Sequence, residues 1–165
     1  MTFVVSAATA KDTRAIGERL GRVVVAGDVI LLTGELGAGK TTFVQGLGAG
    51  LRVRGDITSP TFVIARVHAP LGDGPALVHV DAFRLGDQAE LDDVDIDAFV
   101  DDAVTVVEWG EGVAEALSDD RLVVYIVRPG GSDVVDESRT VSMTPIGTRW
   151  AAAPLSFVLA GTPPR

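Results

Sequence analysis

The chain has no cysteine. Neither a disulfide framework nor a thiolate metal site can be built, and a cytoplasmic home is the simplest expectation. It also lacks any apolar run near the roughly 20 residues of a membrane-spanning helix, and Met1 to Val5 do not show the charged-then-apolar pattern of a secretion signal. A soluble protein with no membrane role is expected. Positive charge is scarce: 14 Lys and Arg face 23 Asp and Glu, the net charge is −9, and only two lysines occur, Lys11 and Lys40. Direct binding to a nucleic-acid backbone needs a basic footprint, so any role near RNA is expected to run through a protein partner.

What is present is a core. With 165 residues and 47% hydrophobic residues the chain has the size and apolar content of one domain. Ile16, Leu20, Val23 and Val24 recur at helical spacing within Thr9 to Val25 and predict a first helix that Gly27-Asp28 ends. The continuous apolar run Val29-Ile30-Leu31-Leu32 predicts a strand buried on both faces of a parallel sheet. After Lys40, the residues Phe43, Val44, Leu47 and Leu51 share one helical face.

Between that strand and that helix lies Gly34-Glu35-Leu36-Gly37-Ala38-Gly39-Lys40-Thr41, with the glycine, lysine and threonine spacing of a phosphate-binding loop. Each residue type has a reason. Glycines let backbone N–H groups approach the phosphates, Lys40 reaches the β- and γ-phosphate oxygens, and the Thr41 hydroxyl is suited to Mg²⁺. Thr42 would either help cap the helix, touch the α-phosphate, or be an ordinary first-turn residue.

Two more apolar runs end in an acid: Ala76 to Val80 before Asp81, and Val104 to Val107 before Glu108. Ligands of open α/β sheets bind outside the carboxyl ends of the strands, so both acids are predicted beside the glycine loop. One would ligate or orient a nucleotide-bound Mg²⁺ and the other would orient or deprotonate the attacking water; the alternative for each is to cap the following turn.

Around this centre stand residues with open roles. Thr61, in Ser59-Pro60-Thr61-Phe62, fits either a nucleotide-sensing loop or a Pro-fixed turn; Trp109 either stacks on a ligand or packs beside the strand end. Arg84 would act on phosphate or pair with the acids after it, and His79 is expected to pack within its strand. The eight acids from Asp87 to Asp102 read as a solvated surface or a docking face for a basic partner. They are not an EF-hand, because the glycine and glutamate positions hold Ala98 and Val104.

Phe62 to His68, Leu122 to Val127 and Arg139 to Met143 predict further strands, added antiparallel at one side of the sheet. The fold class is therefore α/β, a P-loop NTPase-type three-layer sandwich with a mostly parallel central sheet. Residues 1–146 form the domain, and 147–165 a tail without a clear period, either partly helical or frayed.

Taken together, Gly34 to Thr41 with Thr42-Phe43, Ser59-Pro60-Thr61-Phe62, His79-Val80-Asp81-Ala82-Phe83-Arg84-Leu85 and Glu108-Trp109-Gly110-Glu111 resemble the TsaE family. The resemblance runs from about Ala10 to Met143. It implies a cytoplasmic Mg²⁺-dependent ATPase that works with TsaD and TsaB to install threonylcarbamoyl on adenosine 37 of tRNAs reading ANN codons, with tRNA met only indirectly. It further implies that Thr41 and Glu108 bind Mg²⁺, and that Lys40, Asp81 and Glu108 serve catalysis. Gly37, Ala38, Gly39, Lys40, Thr41, Thr42, Thr61, Asp81 and Trp109 would lie at the nucleotide, with Thr9 and Arg139 matching two further family positions. Phe83 departs from the tyrosine of many relatives.

A small-molecule P-loop kinase uses the same loop, but no arginine between Arg84 and Arg121 offers the mobile lid that such an enzyme needs. A GTP switch would show an Asn/Thr-Lys-x-Asp element, and neither lysine supplies one.

Overall fold

A computed structural model describes residues 1–60, 64–83, 95–112, 115–130 and 136–160. Seven strands form one sheet: β1 (Phe3–Ala7), β2 (Val29–Thr33), β3 (Ala65–His68), β4 (Ala76–Asp81), β5 (Ala103–Glu108), β6 (Arg121–Val127) and β7 (Arg139–Ile146), in the order β1-β7-β6-β2-β5-β4-β3. The helices are α1 (Ala10–Gly21), α2 (Lys40–Leu51), α3 (Asp97–Val100), α4 (Thr148–Ala151) and α5 (Leu155–Ala160).

The four central strands β6, β2, β5 and β4 run parallel. β2 and β5 are buried residue after residue because helices cover the sheet on both faces there. Alternate residues divide between two cores. Ile30, Leu32, Leu77, Val104 and Val106 face α1 and α2, while Val29, Leu31, Val78, Val80 and Val107 face the opposite layer with Ile96 and Val100 of the α3 region.

The antiparallel additions lie at both edges and not at one side. β3 returns against β4 at one edge, while β7 pairs antiparallel with β6, and β1 with β7, at the other. The short link from β3 to β4 suits antiparallel pairing, and β7 pairs back on β6, whereas β6 follows a crossover from β5 and joins β2 in parallel. β1 has no counterpart in the sequence reading. The strand expected over Phe62 to His68 is β3 from Ala65 onward; Ile64 has φ 64°, outside strand geometry, and residues 61–63 lie outside the described residues.

α1 starts where its chemistry permits. Thr9 is the N-cap, and its capping box is reciprocal: Asp12 N–H donates to Thr9 Oγ1 at 3.2 Å and Thr9 N–H donates to Asp12 Oδ2 at 3.0 Å. The helix stops at Gly21, four residues before the predicted end at Val25. Gly21 and the β-branched Val23-Val24-Val25 are poor helix formers, and the Val25 N–H is taken by Asp28 Oδ2 at 2.8 Å.

α1 and α2 touch through glycines four residues apart on each helix, Gly17 and Gly21 against Gly46 and Gly50. A Cβ at these positions would strike backbone: Phe43 O, Leu47 O, Arg14 O and Glu18 O respectively. From residue 147 the chain runs into α4 and α5, which put Trp150, Leu155 and Val158 into the α1/α2 core. Arg149 ties this segment down with two bonds to the buried Asp28 carboxylate, at 3.0 and 2.8 Å.

Candidate functional site

The glycine loop joins the carboxyl end of β2 to the first turn of α2. Gly39 is the helix N-cap in the left-handed region, φ 101°, and offers no side-chain cap. The first N–H groups of this twelve-residue helix therefore have no intrahelical acceptor and carry its positive dipole end, which makes an anion site. Gly34 is required for a different reason: a Cβ there would lie 2.5 Å from Ile126 O on the neighbouring strand. Arg139, from β7, holds the loop by its carbonyls, its Nε donating to Ala38 O at 2.8 Å and a terminal nitrogen reaching Gly37 O at 3.4 Å.

Lys40 folds back over the loop. Its Nζ donates to Gly34 O at 2.7 Å and Glu35 O at 3.0 Å, and stands 4.3 Å from the Trp109 ring centroid. Burial pushes its pKa below the ordinary lysine value, opposed by the negative charges of Glu108 and Asp81. The two acids are register partners at the ends of β4 and β5, and both are buried. Asp81 Oδ1 accepts the Phe83 N–H at 2.9 Å, and Glu108 Oε1 is 2.9 Å from His79 Nε2. Trp109 takes φ 57°, an uncommon conformation for a bulky residue, and meets Phe83 edge to face with centroids 5.3 Å apart.

These elements enclose a cleft of about 470 Å³. Of the residues singled out in the sequence, Gly37, Gly39, Lys40, Thr41, Thr42, Asp81, Glu108, Trp109 and Arg139 line it. Ala38, within the loop, is buried and does not line the cleft; its carbonyl accepts from Arg139. Thr9 does not line the cleft, because its side chain is spent on the α1 cap; its neighbours Ala10 and Thr13 border a smaller cavity of about 170 Å³ with Gly39, Thr42, Glu137 and Arg139. Thr61 and Arg84 lie outside the described residues. Leu36 and Ser59 also line the cleft, and His79 stands behind Glu108; none of the three had been assigned a part in the site. The signal for His79 was available, since period-two alternation puts it on the same face as Asp81, and parallel pairing puts Glu108 beside both.

The donor set can be tested for a metal. Among the described residues no group of three or more His, Cys, Asp or Glu could by itself hold an ion. What lines the cleft is oxygen: the Thr41 hydroxyl and two carboxylates beside an anion cradle. That fits Mg²⁺, which takes one or two protein oxygens and completes its shell with phosphate and water, and it does not fit a metal that needs an all-protein cage.

A strand, a glycine loop and a helix at the carboxyl edge of a parallel sheet, with acids at the two neighbouring strand ends, define a protein of P-loop architecture. A sequence model of one family, "Threonylcarbamoyl adenosine biosynthesis protein TsaE", matches residues 7–135. The chain is 58% identical over 149 residues to "tRNA threonylcarbamoyladenosine biosynthesis protein TsaE" of Streptomyces coelicolor, covering 90% of this chain and 99% of that one. It is 36% identical over 142 residues to the protein of the same name from Bacillus subtilis, covering 85% and 84%. The crystal structure of the Bacillus protein YdiB superposes with a TM-score of 0.71 at 31% identity, over 98% of this chain and 95% of that chain. The chain belongs to the TsaE family. No helix among the described residues is long and apolar enough to cross a membrane.

Proposed function

We propose that this protein is a Mg²⁺-dependent ATPase of tRNA threonylcarbamoyladenosine biosynthesis, driving the cycle of a TsaD/TsaB transferase complex that modifies adenosine 37. The observation that carries the ATPase reading is the convergence of Lys40, Thr41, Asp81 and Glu108 on one cleft at the N-terminus of α2. The names of the relatives and the family support the pathway. The net charge of −9 supports contact with tRNA through partner proteins and not directly.

The chain's own groups divide the work. The α2 N–H groups and Lys40 hold the β- and γ-phosphates, and Thr41 with Glu108 would hold Mg²⁺, which supplies charge neutralisation at the transferring phosphoryl group. Asp81 already accepts one hydrogen bond at Oδ1, from Phe83, and retains capacity to accept a proton from water. Water oxygen attacks the γ-phosphorus, the bond to the bridging oxygen breaks, ADP leaves, and the water proton passes to Asp81. Trp109 lines the cleft, and the exposed Phe83 packs edge to face against it from outside.

Binding and turnover test the reading. Lys40→Ala removes a charge-assisted contact worth roughly 1.5–3 kcal/mol and is expected to weaken ATP binding by about ten- to a hundredfold in calorimetry. An unchanged affinity would remove the site assignment. Reconstituted threonylcarbamoyl transfer to tRNA, with this protein present or omitted, tests the pathway; transfer that proceeds equally well without it rejects the role.

A further inference from the structure

His79 is fully buried in β4, and its Nε2 lies 2.9 Å from Glu108 Oε1. A carboxylate that serves as a cation ligand only accepts hydrogen bonds, and in that role of Glu108 the Nε2–H is the donor in this contact. The ring's other nitrogen, Nδ1, is buried with no hydrogen-bond partner among the described residues, where Glu108 is the imidazole's hydrogen-bond contact. Packing alone does not call for this residue. The next position on the same face of β4 is Leu77, and the facing positions of β5 are Val104 and Val106, so an aliphatic side chain would fill the space without an orphaned nitrogen.

Glu108 for its part is 3% exposed and lines the cleft, whereas His79 does not. A buried carboxylate with free rotation about its last torsion would present either oxygen, in a range of directions, to whatever the cleft holds. A fixed donor on Oε1 removes that freedom.

We propose that His79 is a positioning residue for Glu108: its Nε2–H pins Oε1 from behind the cleft and leaves the second oxygen aimed for cation binding in one orientation. The proposal rests on the reading of Glu108 as a magnesium ligand. Groups hydrogen-bonded to a ligating carboxylate typically change metal affinity by roughly 10–100-fold when removed.

The test uses calorimetric affinity for a non-hydrolysable ATP analogue, with Mg²⁺ and with EDTA, on the full chain. The ratio of the two affinities isolates the metal-dependent part of binding from the phosphate cradle. His79→Leu, which keeps volume and removes the donor, is expected to leave the EDTA affinity within about twofold and to lower the Mg²⁺-dependent gain about tenfold, or to abolish a smaller gain. His79→Gln places an amide donor near the Nε2 position and is expected to restore most of the gain. Equal losses in the leucine and glutamine variants, or no loss in leucine, overturn the proposal. If His79→Leu fails to fold, His79→Asn replaces it, since its shorter amide cannot reach Glu108; asparagine and glutamine variants of equal gain overturn the proposal as well. Glu108→Ala separates the two levels. A normal gain in that variant rejects the metal reading together with this inference, while a lost gain there beside an intact gain in His79→Leu rejects the inference alone.

Discussion

Replacing Trp150 by alanine tests whether the segment after residue 147 belongs to the core. Trp150 is 1% exposed and packs in the cluster that holds Ile16, Leu20 and Val158. Large-to-small truncation of a buried aromatic costs roughly 3–5 kcal/mol. Part of that returns here, because the Trp150 Nε1–H is buried without an acceptor among the described residues, and relieving an unsatisfied donor restores about 1 kcal/mol or more. The net loss is then about 2–4 kcal/mol, a large share of the roughly 5–15 kcal/mol available to a domain. At roughly 2–4 °C per kcal/mol for a chain of this length, the Tm should fall by about 4–16 °C. Thermal unfolding followed by circular dichroism, with urea titration to check two-state behaviour, measures it. Trp150→Phe should stay within about 1.5 kcal/mol of the parent, since it keeps most of the ring volume and removes the orphaned donor. The exposed Tyr125→Ala should cost under about 1 kcal/mol. A Trp150→Ala protein that melts within about 2 °C of the parent would refute the reasoning and leave the segment an appendage.

Gly34→Ala should leave the protein folded but weaken ATP binding about tenfold or more, because the new Cβ meets Ile126 O and shifts the phosphate loop; an unchanged calorimetric affinity would count against the loop geometry. His68 supplies a pH signature. Burial lowers its pKa below the ordinary 6.5, so in the window between that value and the lowered one the unfolded chain binds the extra proton, and stability falls as pH drops below about 6.5. His68→Asn should flatten that slope in denaturant titrations at stepped pH, and a parent-like slope would assign it elsewhere.

Much of the site was legible because the parallel strands carry their acids at their ends. β2, β4 and β5 are buried on both faces, so they appear in the chain as continuous apolar runs, and Asp81 and Glu108 are the residues that stop those runs. The glycine loop announced itself through spacing and context. Harder to read were elements whose burial comes from partners distant in sequence. β1 alternates between half-buried and exposed positions up to the buried Ala7, and it pairs along the edge that β7 offers. α4 and α5 are too short to display a helical period, so Trp150, Leu155 and Val158 show no pattern until the core they join is known. The fate of Thr9 turned on three residues: Asp12 at the third position of the helix claims its hydroxyl for a capping box. His79 looked like a lone histidine because its partner is 29 residues away on the adjacent strand.

The glycine contact between α1 and α2 bears on how this protein can vary. At Gly17, Gly21, Gly46 and Gly50 the nearest obstacle is main chain, which no change of rotamer can clear. Each position therefore admits a single side-chain choice unless the two helices part, and an insertion or deletion within either helix would rotate a larger residue into the contact. Because α2 begins at the phosphate loop and Thr13 of α1 lies close to Gly39, this contact runs from the loop end of the pair to the Gly21–Gly50 approach. A drug-resistance or directed-evolution screen should find this patch almost mute, with variation displaced to the outward faces of the same helices.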